Sequence, residues 1–321
     1  MRVTVVTTAF NSATHLRECL KSVKNEAESV SLEGFLGSPV ARRNRYRPVT
    51  VEHLVVDAAS TDGTVALLES WIEEVGRLGP YGAAGSSRTA VAERSNKSFY
   101  KFSYLSAPDF GQSDGLNKGF RLAQGDWILW LNADDLLLHG ALSAFRKELD
   151  EPGGDVDVVY GHYRFIGADG GFRRVIYTIP YSQFLVRHLS FLPPTSGTLF
   201  RKSVLISNPL DLTFHYTMDR EWFLRCGGGL QAKRIQKEVA AFRVTEGSKT
   251  GKFTLYGEVC DQHRLEQQIN WERHIEPFYA WLPSQIRRPV FGAVRIFCRF
   301  IVKVLKAREW AAMKLAPSLY C

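Results

Sequence analysis

Short apolar runs alternate with amphipathic stretches through the first 135 residues of the chain. Four of the runs have the β-branched and apolar composition that is typical of buried strands: 3–8, 52–57, 100–106 and 126–131. Between the runs, apolar residues recur at helical spacing, as in the series Leu16, Cys19, Leu20 and Val23. Because strands separated by helices build parallel sheets, the pattern predicts an α/β fold with a mostly parallel, doubly wound sheet flanked by helices.

Two polar stretches interrupt this alternation. Residues 28–48 carry four arginines, and residues 76–96 are rich in Gly, Ser and Arg. Such composition is typical of solvated loops, so we expect both stretches to be surface insertions. Towards the end of the chain, the pattern predicts helix over 253–281 and again over 289–310.

Acidic residues follow two of the predicted strands at the point where each strand ends. Asp57 closes the second run, and Asp134 and Asp135 follow the fourth. In open α/β sheets ligands bind beyond the carboxyl ends of the strands. An anionic ligand would be repelled there unless a cation intervenes, and Mg²⁺ or Mn²⁺ can bridge carboxylates and a diphosphate. A surface turn that caps the following helix is the alternative interpretation of the Asp134–Asp135 pair.

Composition excludes several classes of protein. A chain of 321 residues with 45% hydrophobic and 12% aromatic residues can bury a core and is not disordered. No glycine-rich dinucleotide or P-loop motif is present, which argues against a dehydrogenase or a P-loop enzyme. The five cysteines are odd in number and have no CxxC spacing, so a disulfide framework or zinc site is not expected. With neither a signal peptide nor an apolar run long enough to span a membrane, a cytoplasmic location is expected.

Positive charge is concentrated at the end of the chain. From Ile275 onwards, the chain contains eight Lys or Arg residues and two Glu, so this stretch carries +6 of the net charge of +8. Arg295, Arg299 and Lys303 share one helical face, with apolar residues on the other side. Two interpretations stay open: a helix packed on the core with a solvated basic stripe, or an interfacial helix on an anionic membrane, peripheral on its cytoplasmic face.

Several segments together resemble the family 2 glycosyltransferases of GT-A fold. They are VTVVTTAFN (3–11), HLVVDAASTDGT (53–64), SAPDFGQSDGLNKGFRLAQGDWILWLNADD (106–135), VVYGHYRFIGADG (158–170), SGTLFRKSVL (196–205) and MDREWFLR (218–225). They occur in family order, and 106–135 is the most specific of them. The resemblance covers residues 1 to about 250, apart from the two insertions.

The resemblance implies a donor-binding site at the strand ends. The residues that it assigns to the nucleotide-sugar are Thr7, Ala9, Phe10, Asn11, Asp57, Asp109, Asp114, Asn117, Lys118, Asn132 and Ala133. Among these, Asp57 corresponds to the acid that accepts a hydrogen bond from the base, usually uracil. Residues 132–134 occupy the position of the metal-binding DxD motif, so Asp134, helped by Asp135, is expected to hold Mg²⁺ or Mn²⁺. Asn132 departs from the first Asp of that motif, and no His follows near Thr245, which leaves Lys249 as a candidate phosphate contact.

The resemblance also implies a mechanism. Asp219 in MDRE corresponds to the catalytic base, which would deprotonate an acceptor hydroxyl for a single displacement with inversion. The structural alternative for Asp219 is an acid that favours a helix N-terminus. The expected enzyme is therefore a metal-dependent hexosyltransferase that uses a nucleotide-diphosphate sugar, most simply a UDP-sugar, and a glycan or lipid-linked acceptor of the kind used in polysaccharide assembly.

The expected domain boundaries follow from the same segments. Residues 1–250 would form the transferase domain, with a donor half to about 135 and an acceptor half from 136, and residues 251–321 a helical C-terminal extension. Two other functions remain as alternatives: a catalytically degenerate scaffold that binds a nucleotide or a protein, and a nucleic-acid binder. Net charge alone favours the last, so no nucleic-acid partner is expected.

Overall fold

The computed structural model describes six stretches of the chain: residues 1–36, 49–75, 88–93, 100–151, 155–246 and 260–315. The side chains of 32–36, 88–93 and 305–315 are outside this description. Lys249 and most of the two stretches that the sequence marks as insertions also lie outside it.

Four parallel strands form the centre of the first half. They are β1 (Arg2–Ala9), β2 (Thr50–Asp57), β4 (Tyr100–Ser106) and β5 (Trp127–Trp130), in the order β4-β2-β1-β5. Most of their side chains are buried, on both faces, as their β-branched and apolar composition predicts. The four strands predicted from the sequence are therefore confirmed.

Helices cover both faces of these strands: α1 (Ala13–Leu36), α2 (Thr64–Val75) and α3 (Gln112–Leu122). The predicted loop from residue 28 was wrong at its start, because α1 continues to Leu36. Ala27 and Val30 extend the buried stripe of this helix. The insertion predicted over 76–96 also contains a strand, β3 (Arg88–Glu93), which pairs antiparallel with β4 at the sheet edge.

The second half extends the same sheet with mixed pairing. Its elements are β6 (Leu136–Leu137), α4 (Ala141–Asp150), β7 (Val158–Ile166), β8 (Phe172–Ile176), α5 (Gln183–Leu189), β9 (Thr198–Arg201), α6 (Lys202–Ser207), α7 (Met218–Cys226) and β10 (Ala232–Arg243). The full order is β3-β4-β2-β1-β5-β9-β7-β10-β6, with β8 on β7. Strand β9 runs antiparallel to both β5 and β7, so the sheet is parallel from β4 to β5 and mixed from β5 onwards.

The chain ends in helices: α8 (Asp261–Asn270), short helical turns over 271–279, and α9 (Ser284–Leu315). Glu266 of α8 is fully buried. Its carboxylate accepts the backbone N–H groups of His215, Tyr216 and Thr217 at 2.7–2.9 Å, immediately before α7. A carboxylate at a helix N-terminus is favoured by the helix dipole, so this contact fastens α8 to the start of α7. Within the described residues, no helix is long and apolar enough to cross a membrane.

Candidate functional site

The loops that follow β1 and β2 are joined by a network of hydrogen bonds around Asp57. Its buried carboxylate accepts hydrogen bonds from the Ser60 amide (3.0 Å), the Ser60 hydroxyl (2.5 Å) and the Ser106 hydroxyl (2.6 Å). Asn11 donates its backbone N–H to the Ser60 hydroxyl and accepts from the Thr61 amide. The ends of three strands are thus fixed relative to one another, with Asp57 in their centre.

The other residues predicted at the end of β1 face in different directions. The hydroxyl of Thr7 is buried 3.0 Å from His53 Nε2, and Ala9 is packed in the core. Phe10 is 66% exposed, and Asn11 next to it is exposed in a left-handed conformation with φ of 48°. Phe10 and Asn11 are therefore the residues of this segment that a ligand can reach.

The segment 109–118 combines structural and accessible groups. Asp109 accepts the Gly111 amide, and burial raises the pKa of its carboxyl, with small contributions from the charges of Asp114 and Asp57. Burial opposes ionisation of Asp114, but its contacts with Lys118 (2.8 Å) and the Phe110 amide outweigh burial and lower its pKa.

Asn117 in the same helix uses its side-chain amide for hydrogen bonds within the protein. Its side-chain amide donates to the carbonyl of Leu210 (2.8 Å) and accepts from the Leu210 amide (2.9 Å), and the residue is buried. Asn117 therefore ties α3 to the segment before α7. Asp109 and Lys118, which are only partly buried, remain the polar groups that the segment presents.

Asn132 is the hub of the acidic turn between β5 and β6. Its side-chain oxygen accepts from Trp130 Nε1 (3.0 Å) and Gln112 Nε2 (3.2 Å), while its amide nitrogen donates to Asp135 (3.0 Å). All these partners belong to the protein. A carboxylate in place of this amide would face Asp135 as a like charge, which explains physically why an amide occupies the position.

Asp135 lies at the bottom of the turn and is fully buried. Besides Asn132, its carboxylate accepts the Arg243 amide of β10 at 2.9 Å and interacts with Ser196. Burial raises the pKa of Asp135 well above its ordinary value, and the neighbouring charge of Asp134 adds to the shift. The contacts of Asp135 are with the protein, which is the pattern of a group that shapes the turn.

Asp134 occupies the outer position of the turn and is only partly buried, whereas Ala133 beside it is packed in the core. No ion pair to the Asp134 carboxylate is found among the described residues. Burial raises its pKa, while the charges of His15 and Arg243 oppose the shift. A carboxylate that is desolvated without a cation partner is suited to a metal ion. No cluster of three or more His, Cys, Asp or Glu within the described chain could hold a metal by itself.

Asp219 stands in the first turn of α7, as MDRE predicts, and its carboxylate accepts the Arg220 amide at 2.7 Å. Burial raises the pKa of the Asp219 carboxyl. Glu221 is different, because it is fully buried and paired with Arg225 at 2.7 Å. Burial opposes ionisation of Glu221, but His274 and Arg225 lower its pKa, which makes it a poor base.

The start of α3 connects the acidic turn to the segment that carries Asp219. Gln112 contacts Asn132, as described, and the adjacent Ser113 donates to the carbonyl of Phe214 (3.0 Å) and contacts Met218 Sδ (3.1 Å). A side-chain carbon added at Gly111 would lie 3.2 Å from His215 Nδ1. The structure thus links Asn132 and the residue before Asp219 through two consecutive residues of one helix.

Arg243 supports the acidic turn and was missed by the sequence interpretation. Its guanidinium is fully buried and donates to the carbonyls of Asp134 (2.9 Å) and Ala168 (3.0 Å), and to the Glu18 carboxylate of α1 (2.5 Å). The available signal was an arginine at the end of the apolar run VAAF, where a charge must find partners inside the fold. Gln112 and Ser196 were also missed, since neither stands out by composition.

Replacement of Asn132 tests the polar network of the turn. We expect Asn132→Asp, measured in EDTA at pH 7, to lower the free energy of unfolding by about 1–3 kcal/mol, because Asp135 loses a donor and gains a like charge. Urea denaturation measures the change. Asn11→Asp is the matched control, since Asn11 uses its side-chain oxygen as an acceptor and is exposed. Equal stability of the two variants would contradict the assigned network.

Comparison with known families gives one sequence match. Residues 84–208 match the family model "Glycosyl transferase family 2". The match includes the acidic turn and α3 but leaves Asp57 and Asp219 outside the matched range. No curated protein sequence matches the chain significantly.

Solved structures share the fold at low identity. Full TarS from S. aureus aligns with a TM-score of 0.51 and 17% identity over 92% of this chain and 53% of TarS. TarS 1–349 in complex with UDP aligns with a TM-score of 0.50 and 17% identity over 92% of this chain and 87% of that chain. The mannosyltransferase PcManGT from Pyrobaculum calidifontis was solved with GDP-Man and Mn²⁺. It aligns with a TM-score of 0.48 and 17% identity over 99% of this chain and 81% of that chain. The matched region spans 60% of TarS 1–349 in its UDP-GlcNAc complex, so it does not account for that whole chain.

The TarS alignments show that the mixed α/β sheet is of the GT-A type expected from the sequence. The segment with the specific sequence match is also the segment that builds the acidic turn. Together, the family match over residues 84–208 and the shared fold relate this chain to the family 2 glycosyltransferases.

Proposed function

We propose that the chain is a metal-dependent, inverting hexosyltransferase that moves a sugar from a UDP-sugar to a hydroxyl of a glycan or lipid-linked acceptor. The observation that carries the proposal is the connection of the acidic turn to the Asp219 segment through Gln112 and Ser113 of α3. Glycosyl transfer requires the acids of the turn, which would serve the donor, and Asp219, which would serve the acceptor, at one site.

Asp134 would hold the divalent ion, because its carboxylate is desolvated and has no ion pair among the described residues. Since the described chain offers no further cluster of ligands, the donor diphosphate and water would complete the coordination. A bound Mg²⁺ or Mn²⁺ supplies Lewis acidity that stabilises charge on the leaving diphosphate. In this proposal Asp135 acts behind Asp134, where it fixes Asn132 and the backbone of Arg243.

The nucleoside would lie over the joined ends of β1, β2 and β4. Asp57 is the acid in the centre of that network, and Asn11 and Phe10 are the accessible side chains beside it. UDP is the nucleotide proposed, which agrees with the TarS structure solved with UDP. Asp109 and Lys118, both partly buried, would contact the donor in this proposal.

Asp219 would remove the proton from the acceptor hydroxyl. Burial raises the pKa of its carboxyl, which makes it a stronger base than an ordinary aspartate. No covalent enzyme intermediate is needed, so a single displacement at the anomeric carbon inverts its configuration.

The C-terminal helix supports a peripheral membrane position. Residues Val294, Cys298 and Val302 of α9 point inwards, and Cys298 is fully buried. The opposite face leaves Phe297 and Phe300 63% and 65% exposed, with Ile296, Ile301 and Val304 around them. Exposed Arg295, Arg299 and Lys303 flank this apolar face. The inward face agrees with a helix packed on the core, and the outward face agrees with an interfacial helix. We propose that the outward face lies on an anionic membrane.

The first experiment tests the donor site. We expect UDP binding, measured by calorimetry, to require Mn²⁺ and to weaken at least tenfold in Asp134→Ala, because the diphosphate would then face the turn without its cation. Asp57→Ala should also weaken UDP binding, at unchanged metal dependence. Equal affinity of wild type and Asp134→Ala, with Mn²⁺ and with EDTA alike, would exclude the metal role. Retained UDP binding with no turnover on any UDP-sugar would instead favour the degenerate-scaffold alternative.

The second experiment tests the base. With Asp219→Asn, we expect UDP affinity to survive and transfer at saturating donor to fall about 10²–10⁴-fold. Because the base works only when deprotonated, the wild-type rate should rise with pH through an apparent pKa above the ordinary aspartate value of roughly 3.9. Glu221→Gln serves as the comparison for a merely structural acid. A near wild-type rate in Asp219→Asn would place the base elsewhere.

The third experiment tests the membrane face. Phe297→Ser together with Phe300→Ser should reduce co-sedimentation with vesicles that contain phosphatidylglycerol, because the helix loses apolar area that lipid would bury. Raising the salt concentration should also release the wild type, since the basic flank contributes electrostatically. Phe278→Ser, which changes an exposed aromatic outside α9, is the control. Co-sedimentation that is unaffected by both the double replacement and salt would contradict the proposal.

A further inference from the structure

A basic cleft opens next to the proposed catalytic base, on the side formed by the C-terminal helices. It has a volume of about 270 Å³ and lies between α7, α8 and α9. Four arginines line it: Arg220, Arg264, Arg288 and Arg295. No carboxylate stands among its lining residues in the described part of the chain. Arg264 forms an ion pair with Asp261 at 3.8 Å, and no ion pair of Arg220, Arg288 or Arg295 is found among the described residues, so the walls are positive.

Arg220 is the deepest of the four. It follows Asp219 directly in α7, and its Nε is buried without a hydrogen-bond partner. Burial and, secondarily, the charge of Arg295 lower the pKa of Arg220 to about 10, against the opposite effect of Asp219. The group stays protonated at neutral pH, so the fold holds a desolvated cation beside a second cation. Such an arrangement is costly unless an anion completes it.

The remaining arginines stand around this cation in defined positions. Arg288 donates to Gln268 Oε1 at 2.7 Å and lies over the ring of Trp271, 4.9 Å from its centroid. Arg295 is exposed on α9, yet its charge reaches Arg220. Guanidinium groups present paired N–H donors that match the oxygens of a phosphate, which makes a group of arginines a suitable phosphate site.

We propose that this cleft binds a phosphate or diphosphate group of the acceptor and so holds the acceptor hydroxyl against Asp219. The inference rests on the proposed function and deepens it, since it assigns the acceptor to the phosphorylated glycans or lipids. The donor diphosphate has its own place at Asp134. The acceptor anion would enter between α7 and the C-terminal helices. The basic and apolar outer faces of α9 adjoin the cleft, so a phosphate carried by a lipid could reach it from a membrane.

Titration with inorganic pyrophosphate in EDTA tests the cleft separately from the metal-dependent donor site. Wild type should bind, and Arg220→Gln and Arg295→Gln should each weaken binding at least tenfold. Arg299→Gln, one turn along α9 from Arg295 and outside the cleft, should stay within about twofold. Because Arg295 is exposed, its replacement keeps the test decisive even if Arg220→Gln fails to fold. Equal affinity in Arg295→Gln and wild type, or an equal loss in Arg299→Gln, overturns the proposal.

Competition identifies the source of the phosphate. Glucose 1-phosphate and vesicles of phosphatidylcholine with phosphatidic acid are each added against bound pyrophosphate. Displacement by the sugar phosphate indicates a phosphorylated glycan, and displacement by the vesicles indicates a lipid phosphate. If neither displaces pyrophosphate, the assignment to a phosphorylated acceptor is wrong.

Two controls separate failure of the cleft from failure of the proposed function. Asp134→Ala should bind pyrophosphate in EDTA as the wild type does, and a loss in this variant would assign the anion to the donor side. Arg295→Gln should bind UDP with Mn²⁺ normally but show a raised KM for the acceptor. Absence of UDP binding in the wild type would contradict the proposed function while leaving the pyrophosphate result interpretable.

Discussion

The buried guanidinium of Arg243 is the interaction on which the acidic turn depends. A fully buried charge is tolerated only when its donors are satisfied, and here they meet Glu18 of α1 and the backbone of Asp134 and of residues 167 and 168. The same residue gives its amide to Asp135. Strand β10, helix α1 and the turn are therefore held by one side chain, whose guanidinium is buried while its partner Glu18 stays exposed at the surface. The backbone of Asp134 is thereby fixed, as the proposed metal ligand would require.

The acceptor side depends on a second buried charge. Glu266 comes from a helix about 50 residues further along the chain than α7, yet it accepts three consecutive amides in front of Asp219. Asn270 adds a hydrogen bond to Thr217 from the same helix at 3.1 Å. The C-terminal helices are consequently part of the site. They position the segment of the proposed base and contribute three of the four arginines of the basic cleft.

Local patterns predicted the elements whose stability is visible in the sequence. Strands β1, β2, β4 and β5 are rich in β-branched and apolar residues, and the parallel sheet that they form buries most of their side chains. Strand β3 escaped prediction because a short edge strand gains its stability only by pairing with β4. The antiparallel pairing of β9 with β5 and β7 could not be predicted either, because the pattern of apolar residues along a strand does not determine which strands it pairs with.

The sequence by itself determined the α/β class, the positions of the acids at strand ends and the resemblance that connects them to glycosyl transfer. These features are local, because an apolar run followed by a polar turn is encoded by consecutive residues. Only the tertiary structure decided which acid is shielded by partners and which stands without one. It showed that Asp135 and Glu221 are bound within the protein, that Asp134 lacks an ion pair among the described residues, and that Arg220 lacks a partner for its Nε. Burial and pairing depend on residues far apart in the chain, such as Arg243 with Glu18 and Glu266 with Thr217, so no local pattern could reveal them.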